Sequence, residues 1–299
     1  MKTYVITGAT GNTGKHIAMG LLEKGQKVRI ISRNAEKAKE LTDQGAELFL
    51  GDTTNKELLL KAFKGADAVY AMIPFDMNAI DYTEMQLSHG RTIAEAIKEA
   101  GVKYVVFLSS VGAHLIEGAG VVQGLERTER LLNSITGLNT MHLRAAYFME
   151  NTMAQIGAIK YMGMMASPVP GDLEVPMVAT KDIAQVALNH LLNLDFKGTN
   201  HKYVLGQRDV SYDEVARLFG NAIGMPDLKY NAVSIAEGKA AMMQMGMGES
   251  ATDSLLEFVS ALNDGRVLED ARRDEHNTTP TSIEDFAHTF AYVYNMKQE

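Results

Sequence analysis

The stretch VITGATGNTG, from Val5 to Gly14, decides the fold of this chain. An apolar run leads into three glycines spaced GxxGxxG, and an amphipathic segment follows. Gly8 permits a tight turn off a strand, Gly11 removes the Cβ where a pyrophosphate approaches, and Gly14 lets the next helix pack close to the sheet. Because a helix start presents free amides and a positive dipole end, the stretch predicts a dinucleotide-binding loop; a purely structural glycine turn is the alternative. The predicted contacts of this loop are Gly8, Thr10, Gly11, Asn12, Thr13 and Gly14.

The first half of the chain alternates apolar runs with segments of helical period. This pattern is typical of βαβ units, whose right-handed crossovers build a buried parallel sheet with the ligand at the carboxyl ends of the strands. Six strands are predicted at 3–7, 27–32, 47–50, 68–73, 104–109 and 139–143. The helices between them are predicted near 13–24, 35–44, 56–64, 79–100 and 122–135.

The alternation loosens after about residue 150. We therefore predict an α/β fold in which a Rossmann-type doubly wound parallel sheet, residues 1–150, carries a smaller C-terminal substrate-side lobe, residues 151–299. No repeat or Pro/Ser-rich linker separates the two parts, so one compact body is expected. In the second part, helices are predicted near 181–193, 212–224, 251–263 and 281–294, with short strands near 175–179 and 202–205.

Composition excludes several classes of function. The chain has no cysteine, which removes disulfides, thiolate catalysis and iron–sulfur clusters. Its formal net charge is -8, and its densest basic stretch, Arg127 with Arg130, alternates with Glu126 and Glu129. That stretch is interpreted as a solvated helix face, so nucleic acid is not an expected partner. The eight histidines are scattered without metal-ligand spacing, and no metal is expected.

Hydropathy bears on location and assembly. No apolar run approaches the ~20 residues that span a bilayer, and the first strand begins close to Met1, which leaves no room for a signal peptide. We therefore expect a soluble, cytoplasmic protein with no membrane partner. The long helices near 79–100 and 122–135 are candidate faces for a homodimer.

The end of the second predicted strand bears on the choice of coenzyme. NAD-selective sites carry an acid there that accepts hydrogen bonds from the adenosine ribose, whereas this chain has Ser32, Arg33 and Asn34. Arg33 can pair with a 2′-phosphate, and Lys37 can reach the same group from one helical turn later. The sequence therefore favours NADP(H) over NAD(H). The alternative is that Arg33 and Lys37 decorate an exposed helix capped by Ser32 or Asn34.

Two further strand ends are expected to face the coenzyme. Asp52 and Thr53 follow the third strand and are predicted at the edge of the adenine ring. Asp52 has an alternative role as the cap of a helix starting near Asn55. The fourth strand ends in three residues predicted to wall the coenzyme or else to be plain core, namely Met72, Ile73 and Pro74.

Together with these residues, most of the chain resembles the NmrA-like branch of atypical short-chain dehydrogenases. The resemblance implies an NADP(H)-binding Rossmann fold, and the branch includes NADPH-dependent quinone and triphenylmethane-dye reductases, phenylcoumaran and isoflavone reductases, and cofactor-sensing regulators. It is carried by VITGATGNTG, SRNAEKA, AGVKYVVFLSSVGA, LRAAYFMENTM, VPMVATKDIAQVA and VSYDEVARLFG.

The chain departs from ordinary short-chain dehydrogenases, which move a proton with the Tyr and Lys of a YxxxK motif. No tyrosine occurs between Tyr104 and Tyr147, and no lysine between Lys103 and Lys160. The resemblance, through the spacing of the family's helix, implies that Val121 and Leu125 occupy those positions. Alcohol oxidation and sugar epimerisation, which need that acid or base, are disfavoured. Hydride transfer to a quinone or a cationic dye needs only that coenzyme and acceptor are held face to face.

Polar residues near the fifth and sixth strand ends complete the predicted site. Ser109 and Ser110 are placed to bond the nicotinamide carboxamide or an acceptor oxygen, or else to cap the strand end. His114 is the nearest candidate proton donor, with a bystander loop histidine as the alternative. The resemblance implies three walls of the substrate pocket, Tyr147, Phe148 and Asn151. An internal pair of Arg144 with Glu150, and a helix-terminal anchor at Asp182, are also predicted.

Methionine is abundant, with 18 in the chain. Such side chains suit an adaptable pocket for a small aromatic substrate, and they suit an irregular core or a subunit interface equally well. Two functions follow: an NADPH-dependent reductase of quinones, azo compounds or other aromatics, and a regulatory protein that senses NADP(H) without turnover. The methionines concentrate at Met149, Met153, Met162, Met164, Met165 and Met177, and again at Met242, Met243, Met245 and Met247.

Overall fold

The computed structural model describes residues 1–296. Its strands are β1 (Thr3–Ile6), β2 (Lys27–Ser32), β3 (Glu47–Leu50), β4 (Ala68–Ala71), β5 (Tyr104–Ser110), β6 (Asn139–Ala145), β7 (Tyr147–Phe148), β8 (Met164–Ser167), β9 (Val175–Val178), β10 (Thr199–Val204), β11 (Asp209–Val210) and β12 (Lys229–Ala232). Its α-helices are α1 (Gly14–Glu23), α2 (Ala35–Asp43), α3 (Lys56–Phe63), α4 (Tyr82–Ala100), α5 (Gln123–Asn133), α6 (Gln155–Met162), α7 (Thr180–Asn193), α8 (Tyr212–Ile223), α9 (Ile235–Gln244), α10 (Glu249–Asn263) and α11 (Ile283–Asn295).

The main sheet has seven parallel strands in the order β10-β6-β5-β4-β1-β2-β3. Helix α1 packs against α2 and α7, while α4 packs between α3 and α5. Both faces of the sheet are buried, since Tyr4 and Ile6 of β1 join one apolar cluster and Val5 joins another. A parallel sheet covered on both faces is the Rossmann-type architecture predicted from the sequence, and the fold prediction is confirmed.

One strand lies where the sequence did not place it. The strand expected in the smaller lobe near 202–205 is β10, which instead extends the main sheet by pairing with β6. Helix α7 returns from the lobe and packs on α1. The connection through α7, which packs on the main sheet, accounts for this position because it brings the next strand back parallel to β6. The division at residue 150 stays a prediction.

The remaining elements form the lobe beyond the main sheet. Two small sheets have the orders β11-β9-β7 and β12-β8, and the second packs against α6 and α8. Within residues 1–296, no helix combines the length and hydropathy that spanning a membrane requires.

The fourth strand is shorter than predicted, since β4 ends at Ala71 rather than at residue 73. The amide of Met72 donates to the hydroxyl of Thr7 at 2.8 Å instead of to a neighbouring backbone carbonyl. A hydrogen bond to a side chain therefore replaces the backbone hydrogen bonds of the sheet after Ala71. Met72, Ile73 and Pro74 consequently form a loop over the carboxyl end of the sheet.

Candidate dinucleotide site at the sheet edge

The glycine loop has the geometry that its spacing predicts. Gly8 has a φ of +60°, which disfavours other residues, and a Cβ there would lie 2.5 Å from the Met72 sulfur. A Cβ at Gly14 would lie 2.3 Å from the carbonyl oxygen of Gly8, so α1 is pressed onto the loop. Gly11 is exposed, and a Cβ there would meet only the Gly8 oxygen at 3.3 Å. The open side of Gly11 therefore leaves room for a phosphate to approach the backbone.

The start of α1 is suited to an anion. Thr13 is its N-cap residue, yet among the described residues no side chain caps the helix, and its first turn carries no acid. The Thr13 hydroxyl accepts a hydrogen bond of 2.9 Å from Tyr70 instead. Burial raises the pKa of Tyr70, so its proton stays on the phenol. The free amides and the helix dipole fit a pyrophosphate.

At the carboxyl end of β2, Arg33 follows the strand and its side chain is 72% exposed. Its Nε lies 3.8 Å from Asp52 Oδ2 at the end of the neighbouring strand β3. Asn34 is the N-cap of α2, and its side chain accepts a hydrogen bond from the Lys37 amide at 2.9 Å. The alternative prediction that Asn34 caps this helix is therefore confirmed. Lys37 is exposed on the first turn of α2. Arg33 is therefore available to a ligand, with one loose internal partner.

Asp52 does not cap α3, because Asn55 takes that place by accepting from the Leu58 amide. Asp52 Oδ1 instead accepts from both the amide and the hydroxyl of Thr54, each at 2.9 Å. The carboxylate is thereby fixed, with Oδ2 turned to Arg33.

Below Asp52, a histidine that the sequence interpretation missed supports the same loop. The Nδ1 of His89, on α4, lies 2.7 Å from the Thr53 hydroxyl and 3.8 Å from Asp52 Oδ1. Burial lowers the pKa of His89, and the negative charge of Asp52 offsets part of that effect. His89 is therefore neutral at physiological pH. No local pattern links it to Thr53, because 36 residues separate them.

A buried ion pair lies near the carboxyl ends of β5 and β6. The guanidinium of Arg144 donates to both carboxylate oxygens of Glu129, at 3.2 and 2.8 Å, and Ser109 donates to the same carboxylate at 2.5 Å. Burial by itself lowers the pKa of Arg144, but Glu129 outweighs it and raises that pKa overall. Ser109 thus faces α5, on the side of the sheet that carries this pair.

Two predictions about charged residues are wrong at this point. Arg144 pairs with Glu129 and not with Glu150. Glu126 and Glu129 are 5% and 4% exposed, so α5 does not present a solvated face at these two residues. The reason is the strand beside the helix, where Arg144 supplies Glu129 with a buried partner.

Glu150 and Asp182 connect elements around the start of α7. Glu150 accepts from the amide and the hydroxyl of Thr180, at 3.0 and 2.6 Å. Asp182 accepts from the amide and the hydroxyl of Thr281, at 2.9 and 2.8 Å. The predicted anchor at Asp182 is confirmed, because it ties α7 to the segment that precedes α11.

His114 contacts the C-terminal part of the chain through both ring nitrogens. Nε2 lies 3.1 Å from the Arg266 carbonyl oxygen, and Nδ1 lies 2.9 Å from Asp270 Oδ1, outside hydrogen-bond geometry. Asp270 also lies 3.9 Å from Arg144. These contacts hold the loop after β5 against residues that sequence interpretation had not connected with it.

The three predicted pocket walls occupy different environments. Tyr147 packs edge-on against Tyr212 at 6.2 Å between ring centres, and burial raises its pKa to about 12. Phe148 is half-buried and pairs with Val178 of β9, whereas Asn151 is exposed. Ser110 is half-buried at the end of β5.

The two residues predicted at the positions of the Tyr and Lys pair, Val121 and Leu125, are half-buried. Val121 lies in a 3-10 turn at Gly120–Val122, and Leu125 lies in the first turns of α5. A Cβ at Gly120 would stand 1.9 Å from the Ser254 carbonyl oxygen, so α10 presses directly on this turn.

A groove of about 640 Å³ runs along α10 beside Ile80. Glu249, Asp253 and Glu257 line it at four-residue spacing on one helix face. Three carboxylates repel phosphate, so this groove is not the dinucleotide site.

The sheet order, the glycine loop and the uncapped start of α1 together define a Rossmann-type protein of the dinucleotide-binding class. The model of the NmrA-like family matches residues 1–287. The chain therefore belongs to the NmrA-like family.

Similar proteins include reductases and a transcriptional regulator. An NAD(P)H azoreductase of Xenophilus azovorans is 28% identical over 255 residues, or 85% of each chain. The NADPH complex of a quinone oxidoreductase from Escherichia coli has 21% identity and a TM-score of 0.80, covering 98% of this chain and 100% of that chain. NmrA, a negative transcriptional regulator in complex with NADP, has 15% identity and a TM-score of 0.71, covering 97% and 90%. The two structural likenesses establish the shared fold.

Proposed function

We propose that this chain is an NADPH-dependent reductase that transfers hydride to a quinone, an azo compound or another aromatic acceptor. One observation carries the proposal: α1 starts without a side-chain cap behind a loop whose Gly11 is open to a phosphate. Similarity to an NAD(P)H azoreductase supports a reductase. A bound nicotinamide supplies the hydride.

The residues of the site divide by the part of the coenzyme they hold. The glycine loop and the start of α1 bind the pyrophosphate, Arg33 with Lys37 binds the 2′-phosphate, and Asp52 with Thr53 borders the adenine. Met72, Ile73 and Pro74 wall the coenzyme, and Tyr147, Phe148 and Asn151 border the acceptor.

The reaction proceeds without a dedicated protein acid. A quinone or a cationic dye accommodates the incoming electron pair within its own conjugated system, so orientation by the protein supplies the main acceleration. Ser110 contacts the nicotinamide carboxamide or an acceptor oxygen. Ser109 supports the strand end through Glu129. His114 holds the β5 loop against Asp270 and Arg266.

A second candidate is a regulator that binds NADP(H) and does not turn it over. The absence of tyrosine and lysine from residues 105–146 fits that function as well. The likeness in fold to NmrA, a transcriptional regulator crystallised with NADP, favours it as the alternative.

Turnover separates the two candidates. The purified chain is mixed with NADPH and a panel of neutral quinones, azo dyes and triphenylmethane dyes, and the absorbance of the reduced nicotinamide is followed. We expect acceptor-dependent loss of that absorbance. Saturable NADPH binding with no consumption across the panel would establish the regulator instead.

A further inference from the structure

The two residues that follow β2 and β3 carry opposite charges and face each other. Arg33 Nε lies 3.8 Å from Asp52 Oδ2, and the strands bring them together because Ser32 pairs with Leu50 in the sheet. When a 2′-phosphate binds Arg33, the guanidinium therefore exchanges one anionic partner, the Asp52 carboxylate, for another. This exchange makes the coenzyme preference depend on Asp52 as well as on Arg33.

Asp52 is the fixed member of the pair. Its Oδ1 is held by the amide and hydroxyl of Thr54 at 2.9 Å each, and the neighbouring Thr53 is held by buried His89 at 2.7 Å. Arg33 instead extends into solvent, with 72% of its side chain exposed. The carboxylate consequently stays where it is while the guanidinium is free to turn.

The two forms of the coenzyme place different groups near this pair. NADPH carries a 2′-phosphate, which the Arg33 guanidinium attracts and the Asp52 carboxylate repels. NADH carries a hydroxyl in its place, and an ionised carboxylate accepts a hydrogen bond from such a hydroxyl. The end of β2 has no acid for this purpose, so the neighbouring strand supplies one.

We propose that Asp52 sets the balance between NADPH and NADH in this chain, by competing with the 2′-phosphate for Arg33 and by accepting the ribose hydroxyl of NADH. The inference rests on the proposed function and adds to it a specificity-determining residue. It makes the chain a user of both coenzymes, with a moderate preference for NADPH.

The test is calorimetric titration of NADPH and NADH, without acceptor, into wild type and D52N. Asn keeps the oxygen that binds Thr54 and removes the charge. We expect D52N to tighten NADPH binding about two- to fivefold, the scale of an exposed charge pair, and to leave NADH unchanged or weaker. The control is D43N, which removes the same charge at the far end of α2, where Asp43 pairs with Lys39; its NADPH to NADH ratio should stay at the wild-type value.

Two further results decide the inference. In an R33Q background the gain from D52N for NADPH should shrink, because the competition for Arg33 is gone and only the repulsion between Asp52 and the phosphate remains. An equal change for both coenzymes assigns Asp52 to the shared adenine and overturns the inference, as does a gain that is undiminished in R33Q. Absence of turnover with every acceptor overturns the reductase and leaves this ratio measurable, whereas binding of neither coenzyme overturns both.

Discussion

Gly14 lies so close to Gly8 that a Cβ at Gly14 would stand 2.3 Å from the Gly8 carbonyl oxygen. The two glycines thus press the first helix onto the turn that precedes it. This contact directs the amides at the start of α1 to the outer side of the loop, where a pyrophosphate binds. The contact joins the fold to the proposed function, because the packing of the sheet and the binding of coenzyme depend on the same two positions.

The first prediction concerns this contact. G14A should lower the free energy of unfolding by about 1–3 kcal/mol through overpacking, and it should abolish NADPH binding. The control is G157A in α6, where a Cβ would meet nothing within 4 Å. That variant should be more stable by about 0.5–1 kcal/mol and should bind NADPH normally. Urea unfolding and calorimetry measure both; normal coenzyme binding by G14A contradicts the loop geometry.

The second prediction concerns the buried pair of Arg144 and Glu129. R144M leaves a buried carboxylate without its partner and should cost about 3–5 kcal/mol of stability in urea unfolding. K39M, which removes an exposed partner of Asp43, should cost less than about 1 kcal/mol. Similar losses for the two variants would mean that the buried charge is compensated in another way.

The third prediction is a pH dependence from His142, which is 1% exposed in β6. Burial lowers its pKa from 6.5 to about 4. Below pH 6.5 the unfolded chain binds a proton that the native chain does not, so stability falls as the pH drops. The contribution reaches ~1.4 kcal/mol per pH unit and levels off below the folded pKa.

Urea unfolding of H142Q between about pH 7 and pH 4 tests this slope, which should become shallower than in wild type. The control is H276Q, at a histidine whose side chain is 79% exposed. Its stability should fall with pH at the same slope as that of wild type. An unchanged slope in H142Q would show that other groups cause the loss of stability in acid.

The fourth prediction separates a structural from a catalytic role for His114. Because Nε2 donates a hydrogen bond to the Arg266 carbonyl oxygen, H114Q should lose about 0.5–1.5 kcal/mol of stability and keep kcat/KM within about threefold. A hundredfold fall in kcat with unchanged stability would instead identify His114 as the proton donor that the sequence had suggested. Steady-state kinetics and thermal unfolding distinguish the two results.

The main sheet could be predicted because its signals are local. Strands β2 and β3 begin and end where the apolar runs do, and the glycines mark the start of α1. The position of β10 depends on pairing with β6, about 60 residues away, and no local pattern encodes it. Helix α9 was not predicted, because only Gly238 is buried along it and no apolar period marks it. Ser234 and Glu237 form a capping box at its start, which is a signal that the sequence does carry.

The candidate site likewise contains residues that local sequence patterns specify and residues that only tertiary contacts bring together. The loop residues and Arg33 are readable because motif and spacing specify them. The partners of Thr53 and Arg144 are not, since His89 and Glu129 come from other elements, 36 and 15 residues away along the chain. The interpretation of α5 as a solvated charged face was wrong, because the sequence pattern around Glu129 is the same whether that acid meets water or the buried guanidinium of Arg144.

Titration of NADPH into the wild-type chain, followed by calorimetry, tests the central claim most directly. We expect saturable binding of one coenzyme per chain, lost in G14A and weakened much more for NADPH than for NADH in R33D. A titration that releases no heat of binding, or an R33D variant that loses both coenzymes equally, would contradict a coenzyme site built from the glycine loop and Arg33.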